Sequence, residues 1–301
     1  MTSTSTTQMR VFPPLDGLGQ MLPRLARRWP NKVALVTDER QLTFAQLDSE
    51  SSSVAVGLTR RGISAGDRVA VFAQNCWEWI VSYHAVLKIG AVVYPLNVML
   101  TGDEVSFALK NSGAKALITS ADRLEAVREA LRGVDTLTLV VSFDSSDEHA
   151  LPFSTLLSED GSEFQPYSVD PSALACIAYT SGTTGRPKGA MQSHLSLVLN
   201  CAYTATMHGR NADDIVVSAL PAAHVYGNVV INGTFMVGGR VVLMKRFDAP
   251  RALKHIQEHR ATMFDRVPAM YAMLLAERSN HSGSAFSTSR RIEEIESVAG
   301  K

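Results

Sequence analysis

Cysteine is scarce in this sequence. Only Cys76, Cys176 and Cys201 occur, far apart and with no CxxC pair. So sparse and odd a set argues against a disulfide framework and against a zinc site, and reduced thiols in a cytosolic protein are the expectation. Net charge is lacking too. Lys plus Arg and Asp plus Glu number 29 each, so nothing in the balance points to nucleic acid or an anionic membrane as partner. The opening MTSTSTTQMRVFPP is polar and has no apolar stretch of the signal-peptide kind. Arg10, Arg24, Arg27 and Arg28 lend it a faint likeness to a transit peptide, but Leu18, Met21, Leu22 and Leu25 fit the apolar side of an ordinary helix better. Between Ile215 and Gly239 there is no charged side chain, a length that could span a bilayer. Yet Pro221, His224, Asn228 and Asn232 lie inside it, with Gly227, Gly233, Gly238 and Gly239. Polar groups are costly at bilayer depth, so this stretch reads as strand, loop and buried helix. A cytoplasmic protein without a membrane span is expected.

What is present is apolar residue in quantity and a repeating grammar. At 301 residues and 46% apolar content the chain suffices for about two domain-sized units with cores. Strands are predicted at Val33–Val36, Arg68–Ala73, Ala91–Tyr94, Ala116–Thr119 and Leu137–Val141. Helices are predicted from Thr43 to near Gly62, over Trp77–Ile89 with Gly90 as stop, from Thr101 to about Lys110, and over Ala121–Leu131. Thr43 with Gln46, and Thr101 with Glu104, have capping-box spacing. Alternating strands and helices imply right-handed crossovers and a largely parallel sheet, an α/β layered unit over residues 1–141. Residues 142–172, with Pro152, Pro166 and Pro171 among acidic residues, read as a connecting segment. A second α/β unit is expected over 173–278. Its strands are Leu174–Tyr179, Ile215–Leu220, Arg240–Met244 and Thr262–Phe264. Its helices lie near His194–Met207, Tyr226–Met236, Pro250–His259 and Ala269–Glu277, with Asp248 as N-cap of the third. A divergent tail occupies 279–301.

Tyr179-Thr180-Ser181-Gly182-Thr183-Thr184-Gly185-Arg186-Pro187-Lys188-Gly189 carries the chemistry. An apolar strand leads into four hydroxyls, three glycines and a lysine. Glycines bring backbone N–H groups close to an anion, hydroxyls donate to phosphate oxygens, and Lys188 adds a mobile positive charge. The spacing is not that of a Walker loop, because Pro187 precedes Lys188 and Gly189 follows it. No convincing G-x-G-x-x-G occurs.

This segment resembles the AMP-binding signature of the adenylate-forming superfamily. Leu42–Leu47 resembles that family's "LTYxEL" element and Leu87–Asn97 its "LKAGAVYVPLNP" element. Arg246-Phe247-Asp248 and Val267–Tyr271 resemble its "RFD" and "VPxMY" stretches. The likeness runs from about Leu18 to Glu277 and implies the layered α/β subdomains of the family's N-terminal domain, incomplete here. Elements like "GGAPL", "YGxTE" and "TGD" are not found, nor is the small C-terminal domain with its lysine.

The acyl-CoA synthetase branch is the one resembled. The resemblance implies attack of a carboxylate on the α-phosphate of Mg-ATP, then displacement of AMP by the thiol of CoA. Thr180, Ser181, Gly182, Thr183, Thr184, Gly185 and Lys188 would hold the phosphates, with Lys188 also catalytic. Leu220–Gly227 resembles the "PLFHxxG" element, which implies His224 beside the acyl carboxylate and ATP, and Tyr226 and Gly227 lining the acyl pocket. Amino-acid-activating relatives carry an Asp in this element for the substrate ammonium; here Ala222 and Ala223 precede His224 with no carboxylate nearby, so an acid without an α-amino group is expected. A fatty or similar acyl group is preferred to an aryl acid. No side chain is assigned to a protein-held metal. Lys245 and Arg246 follow a strand, where basic residues are ordinarily just solvated; in the acyl-CoA synthetases this sequence resembles, the region can face CoA phosphates. Arg266 replaces a common glycine. A half-built sheet would leave an apolar edge exposed, so homo-oligomerisation is an expectation. A chain that binds nucleotide, acyl ligand or partner without turnover shares every one of these motifs and stays open.

Overall fold

Alternate residues along the central strands face different cores, and that period of two sets the layers. In the computed structural model, residues 17–143, 148–180 and 188–280 are described, the side chains of Thr180, Lys188 and 278–280 excepted.

The larger sheet has seven strands in the order β7 (Leu151–Pro152), β6 (Leu139–Ser142), β5 (Ala114–Thr119), β3 (Arg68–Phe72), β4 (Val92–Pro95), β8 (Leu174–Thr180), β9 (Lys188–Ser193). All neighbours are parallel except β8 and β9, which run antiparallel. The smaller sheet has the order β12 (Met263–Asp265), β10 (Ile215–Ser218), β11 (Arg240–Leu243), β1 (Val33–Val36), β2 (Gln41–Thr43), with only the β1–β2 pair antiparallel.

Val69 and Val71 of β3 share one core with Leu35, Val241 and Leu243 of the smaller sheet. That core lies between the sheets and is filled by α1 (Met21–Arg28), α2 (Phe44–Arg60), α3 (Trp77–Ile89), α7 (His194–Met207) and α8 (Val225–Met236). Ala70 and Phe72 face the other way, onto α4 (Gly102–Ser112) and α5 (Ala121–Leu131). Val36, Val217 and Val242 face out under α9 (Ala249–Glu258) and α10 (Pro268–Asn280). Five layers result, helices alternating with sheets, as expected of the α/β class.

Local signals formed the elements where the sequence placed them. Both capping boxes close, with Gln46 N on Thr43 Oγ1 at 3.2 Å and Thr43 N on Gln46 Oε1 at 2.9 Å in the first. Asp248 caps α9 through Arg251 N at 3.0 Å. Gly90 ends α3 at φ 77, a left-handed conformation glycine adopts without a Cβ clash. The three cysteines are free.

Strand pairing cuts across the sequence-based division at 141 and 173. β1 and β2 complete the sheet of β10, β11 and β12, while β8 and β9 complete the sheet of β3–β7. Leu35 pairs with Val241 and Val36 with Val242, so both residues of β1 meet partners about two hundred positions away that bury the same faces. The 142–172 segment also builds structure: β7, and α6 (Phe153–Leu157), which buries Phe153 and Leu156 against α2. Residues from 281 onward lie outside the described residues.

Two buried cations tie the middle layer. Lys88 of α3 is fully buried, with Nζ 2.5 Å from Asp48 Oδ1 and 2.8 Å from both Asp48 O and Ser52 Oγ on α2. Burial lowers its pKa, and Asp48 opposes that shift. Arg210 is likewise buried, its Nη2 2.7 Å from Asp265 Oδ2 and its Nη1 2.8 Å from Val230 O.

Candidate active site

Ligands in α/β sheets gather at the carboxyl ends of strands, where chain connections diverge. Here one side chain joins those ends across the two sheets. Asn75 follows β3 in the larger sheet and is 6% exposed. Its Nδ2 donates to Leu220 O at 2.9 Å and to Met244 O at 3.0 Å, the residues just past β10 and β11. Its Oδ1 accepts from Ala222 N at 2.8 Å. Asn75 thus satisfies three backbone groups of the smaller sheet's rim and fixes the Leu220–Ala222 segment that leads to His224.

His224 is the N-cap of α8. Its ring Nδ1 accepts from Tyr226 N at 3.3 Å, and the residue is exposed at the rim. A small groove of about 10 Å³ lies beside it, walled by Pro95 at the end of β4, Cys176 and Ala178 of β8, Gln192 of β9, Leu197 of α7, and Ala223, Val225, Asn228 and Val229. Burial pushes the Cys176 thiol up to about 12, so it serves as an apolar wall rather than a thiolate. On the floor, Tyr83 Oη donates to Asn228 Oδ1 at 3.0 Å.

The lining of this groove differs from the pocket wall expected from the sequence, Tyr226 and Gly227. Val225, Asn228 and Val229 share a helical face, at spacings of three and four, and they line the groove. Tyr226 and Gly227 fall on other faces. Tyr226 Oη reaches Asp265 Oδ1 at 3.4 Å, and burial followed by that carboxylate raises its pKa. Gly227 is buried against the rim: a Cβ there would stand 2.2 Å from Pro221 O. Its role is close packing of α8 on the loop that carries His224.

The expected phosphate loop spans β8 and β9. Thr180 pairs with Lys188 and Tyr179 with Gly189, so the two strands close its base. Because β8 is parallel to β4 and β3, the loop leaves the larger sheet at the end where Asn75 stands. Ser181, Gly182, Thr183, Thr184 and Gly185 lie outside the described residues, as do the side chains of Thr180 and Lys188.

Further along the rim is a cleft of about 770 Å³ that brings Gln74 and Asp122 of the larger sheet's end to Lys245, Arg246, Asp248, Arg251 and Lys254. Four cations against two carboxylates give it positive character. Arg266 has a structural partner set: its guanidinium lies 4.4 Å above the Tyr271 ring and donates to Phe264 O at 3.1 Å. Sequence reasoning missed Asn75, Arg210 and Asp265, since a single Asn or a long-range ion pair leaves no periodic signal.

Comparison with known proteins settles the family. Residues 22–295 match the model for the AMP-binding enzyme. The chain belongs to that family. A 4-coumarate–CoA ligase of Solanum tuberosum is 31% identical over 236 residues, 77% of this chain and 43% of the relative. A crotonobetaine/carnitine–CoA ligase of Citrobacter koseri is 30% identical over 275 residues, 87% of this chain and 53% of the relative. The N-terminal domain of FACL13 from Mycobacterium tuberculosis superimposes with a TM-score of 0.79 at 30% identity, covering 86% of this chain and 65% of that one. The long-chain-fatty-acid–CoA ligase FadD1 of Archaeoglobus fulgidus reaches 0.84 at 21% identity, a likeness of fold, covering 91% of this chain and 56% of that one. The chain of this AMP-binding protein spans about half the length of the curated relatives it matches. Among its described residues no helix is long and apolar enough to cross a membrane.

Proposed function

We propose that this chain carries the phosphate- and acyl-binding part of an acid–CoA ligase that forms AMP. The observation that carries the reading is Asn75, which holds the His224 loop against the same rim from which the β8–β9 loop emerges. Joining two anions, a carboxylate and ATP, is an electrostatic problem, and the glycine-, hydroxyl- and lysine-bearing sequence between β8 and β9 suits it. The carboxylate oxygen forms a bond to the α-phosphorus while the bond to the bridging oxygen breaks and pyrophosphate leaves. Thr180, Ser181, Gly182, Thr183, Thr184, Gly185 and Lys188 hold the phosphates. His224 orients the acyl carboxylate at the groove mouth. Mg2+ arrives with ATP.

We place the acyl group at the small apolar pocket of Ala178, Ala223, Val225 and Val229, about 10 Å³ in volume, which must widen to admit it. Among the described residues no carboxylate stands in its walls, which supports an acid without an α-amino group. A fatty acyl group remains our preferred substrate, although named relatives act on both aryl and alkyl acids. CoA is the proposed acceptor, and the four cations of the cleft suit its phosphates. Free cysteines support a reducing, cytoplasmic setting. Leu195, Leu199, Tyr203 and Met207, exposed at spacings of four along α7, support self-association of the chain.

Carboxylate-dependent ATP–pyrophosphate exchange, over fatty and aryl acids, tests the reading. Exchange that disappears in Lys188→Ala supports it, and the best acid names the substrate class. A folded chain with no exchange but saturable binding of an acyl-adenylate analogue would be a binder without turnover.

A further inference from the structure

The last turn of α9 carries a cluster that the proposed chemistry does not use. His255, Glu258 and His259 follow the spacing H-x-x-E-H, which places all three on one helical face. One ligating atom from each lies within 4.8 Å of the other two, and the two imidazoles stack with centroids 5.7 Å apart. Bonds of 2.0–2.1 Å to a tetrahedral ion need ligand atoms about 3.3 Å apart, so small side-chain rotations close the set.

Three further observations point to a ligand. His255 is largely buried, and its Nδ1 has no hydrogen-bond partner, a state that ordinarily costs stability. Asp38, on the β1–β2 turn, has Oδ1 3.7 Å from His255 Nε2 and 3.3 Å from Arg251 Nη2, so a carboxylate stands beside that ring where carboxylates back metal-bound histidines, and a small shift brings it into hydrogen-bond range. Glu258 pairs loosely with Lys254 at 3.7 Å, both side chains more than half exposed, so it is easily recruited. Two imidazole nitrogens and a carboxylate suit a borderline transition ion such as Zn2+, whereas Ca2+ and Mg2+ want oxygen alone. The scarcity of cysteine excluded thiolate sites and has no bearing on this one.

We propose that His255, Glu258 and His259 form a site for Zn2+ or a similar divalent transition ion, with Asp38 as the orienting carboxylate. The site sits on the outer face of the smaller sheet, apart from the acyl groove.

Calorimetric titration of the untagged chain with ZnCl2, with MgCl2 as control, tests it. The expected result is one Zn2+ per chain and no saturable Mg2+ binding. His259→Gln and Glu258→Gln should each weaken Zn2+ by at least tenfold, and Asp38→Asn by about tenfold. Both ligand variants alter exposed or half-exposed positions, and their melting without metal reports whether they fold. No one-equivalent Zn2+ binding, or an affinity unchanged in either ligand variant, would overturn the site.

Discussion

Asn75 and His224, joined through the backbone of Ala222 two residues before the histidine, could hardly differ more. Asn75 is buried and spends its whole amide on three backbone groups. His224 is exposed, and among the described residues its side chain makes one capping bond, from Tyr226 N. The interior residue determines where the loop is; the rim residue is left free to meet a substrate. A motif's histidine thus takes its position from a residue outside the motif.

That contrast can be broken, beginning with the interior. Asp48→Ala strips fully buried Lys88 of its counter-ion and should cost about 3 kcal/mol in urea unfolding. Loss of less than about 1 kcal/mol would show that Lys88 finds water. Asn75→Ala leaves Leu220 O, Met244 O and Ala222 N without their partner and should cost about 2–3 kcal/mol. It should also lower pyrophosphate exchange, because the His224 loop loosens. His224→Ala should show the reverse signature: exchange falling about 100-fold, with stability reduced by roughly a helix cap, about 1 kcal/mol. If the two variants lost activity and stability in the same proportion, the division between holding and reacting would be wrong.

How much of this was legible beforehand follows from the range of each signal. The bounds of α3, α5 and α7 were readable, since apolar periodicity, caps and a terminal glycine are all local. Three-residue β2 and the edge strand β9, Lys-Gly-Ala-Met-Gln-Ser, were not, because neither alternates apolar and polar residues over enough length. The assignment of β1 to the far sheet depends on pairing across some two hundred residues, which no window contains. At the site, His224 was visible through its place after an apolar strand and its likeness to a family element. Asn75 was invisible, as one polar residue after a strand resembles any loop residue. The groove's α8 residues, Val225, Asn228 and Val229, stand one or two positions from the expected Tyr226 and Gly227, and each position on a helix turns a side chain through about 100°.

pH sharpens the comparison between interior and rim. His84 on α3 is fully buried with neither ring nitrogen hydrogen-bonded, and burial, then Lys88, lowers its pKa to about 3. The unfolded chain takes up that proton near 6.5, so the folded state is favoured above that value and loses stability as pH falls toward 3. The slope from this group should approach about 1.4 kcal/mol per pH unit below pH 6. Unfolding midpoints at pH 7 and pH 5 should therefore differ more for the wild type than for His84→Met; equal differences would remove His84 from the account. The smallest effect belongs to Tyr226→Phe. Its hydroxyl makes one long bond to Asp265, so stability should change by less than about 1 kcal/mol and exchange by less than twofold. A large loss of exchange would return Tyr226 to the acyl site.

The central claim is that one rim, pinned by Asn75, receives both phosphate and acyl group. Titration of the chain with a non-hydrolysable acyl-adenylate analogue tests it most directly. The account predicts saturable binding of one analogue per chain, weakened at least tenfold by Lys188→Ala and by Asn75→Ala. Binding that both variants leave untouched would place the ligand elsewhere and contradict it.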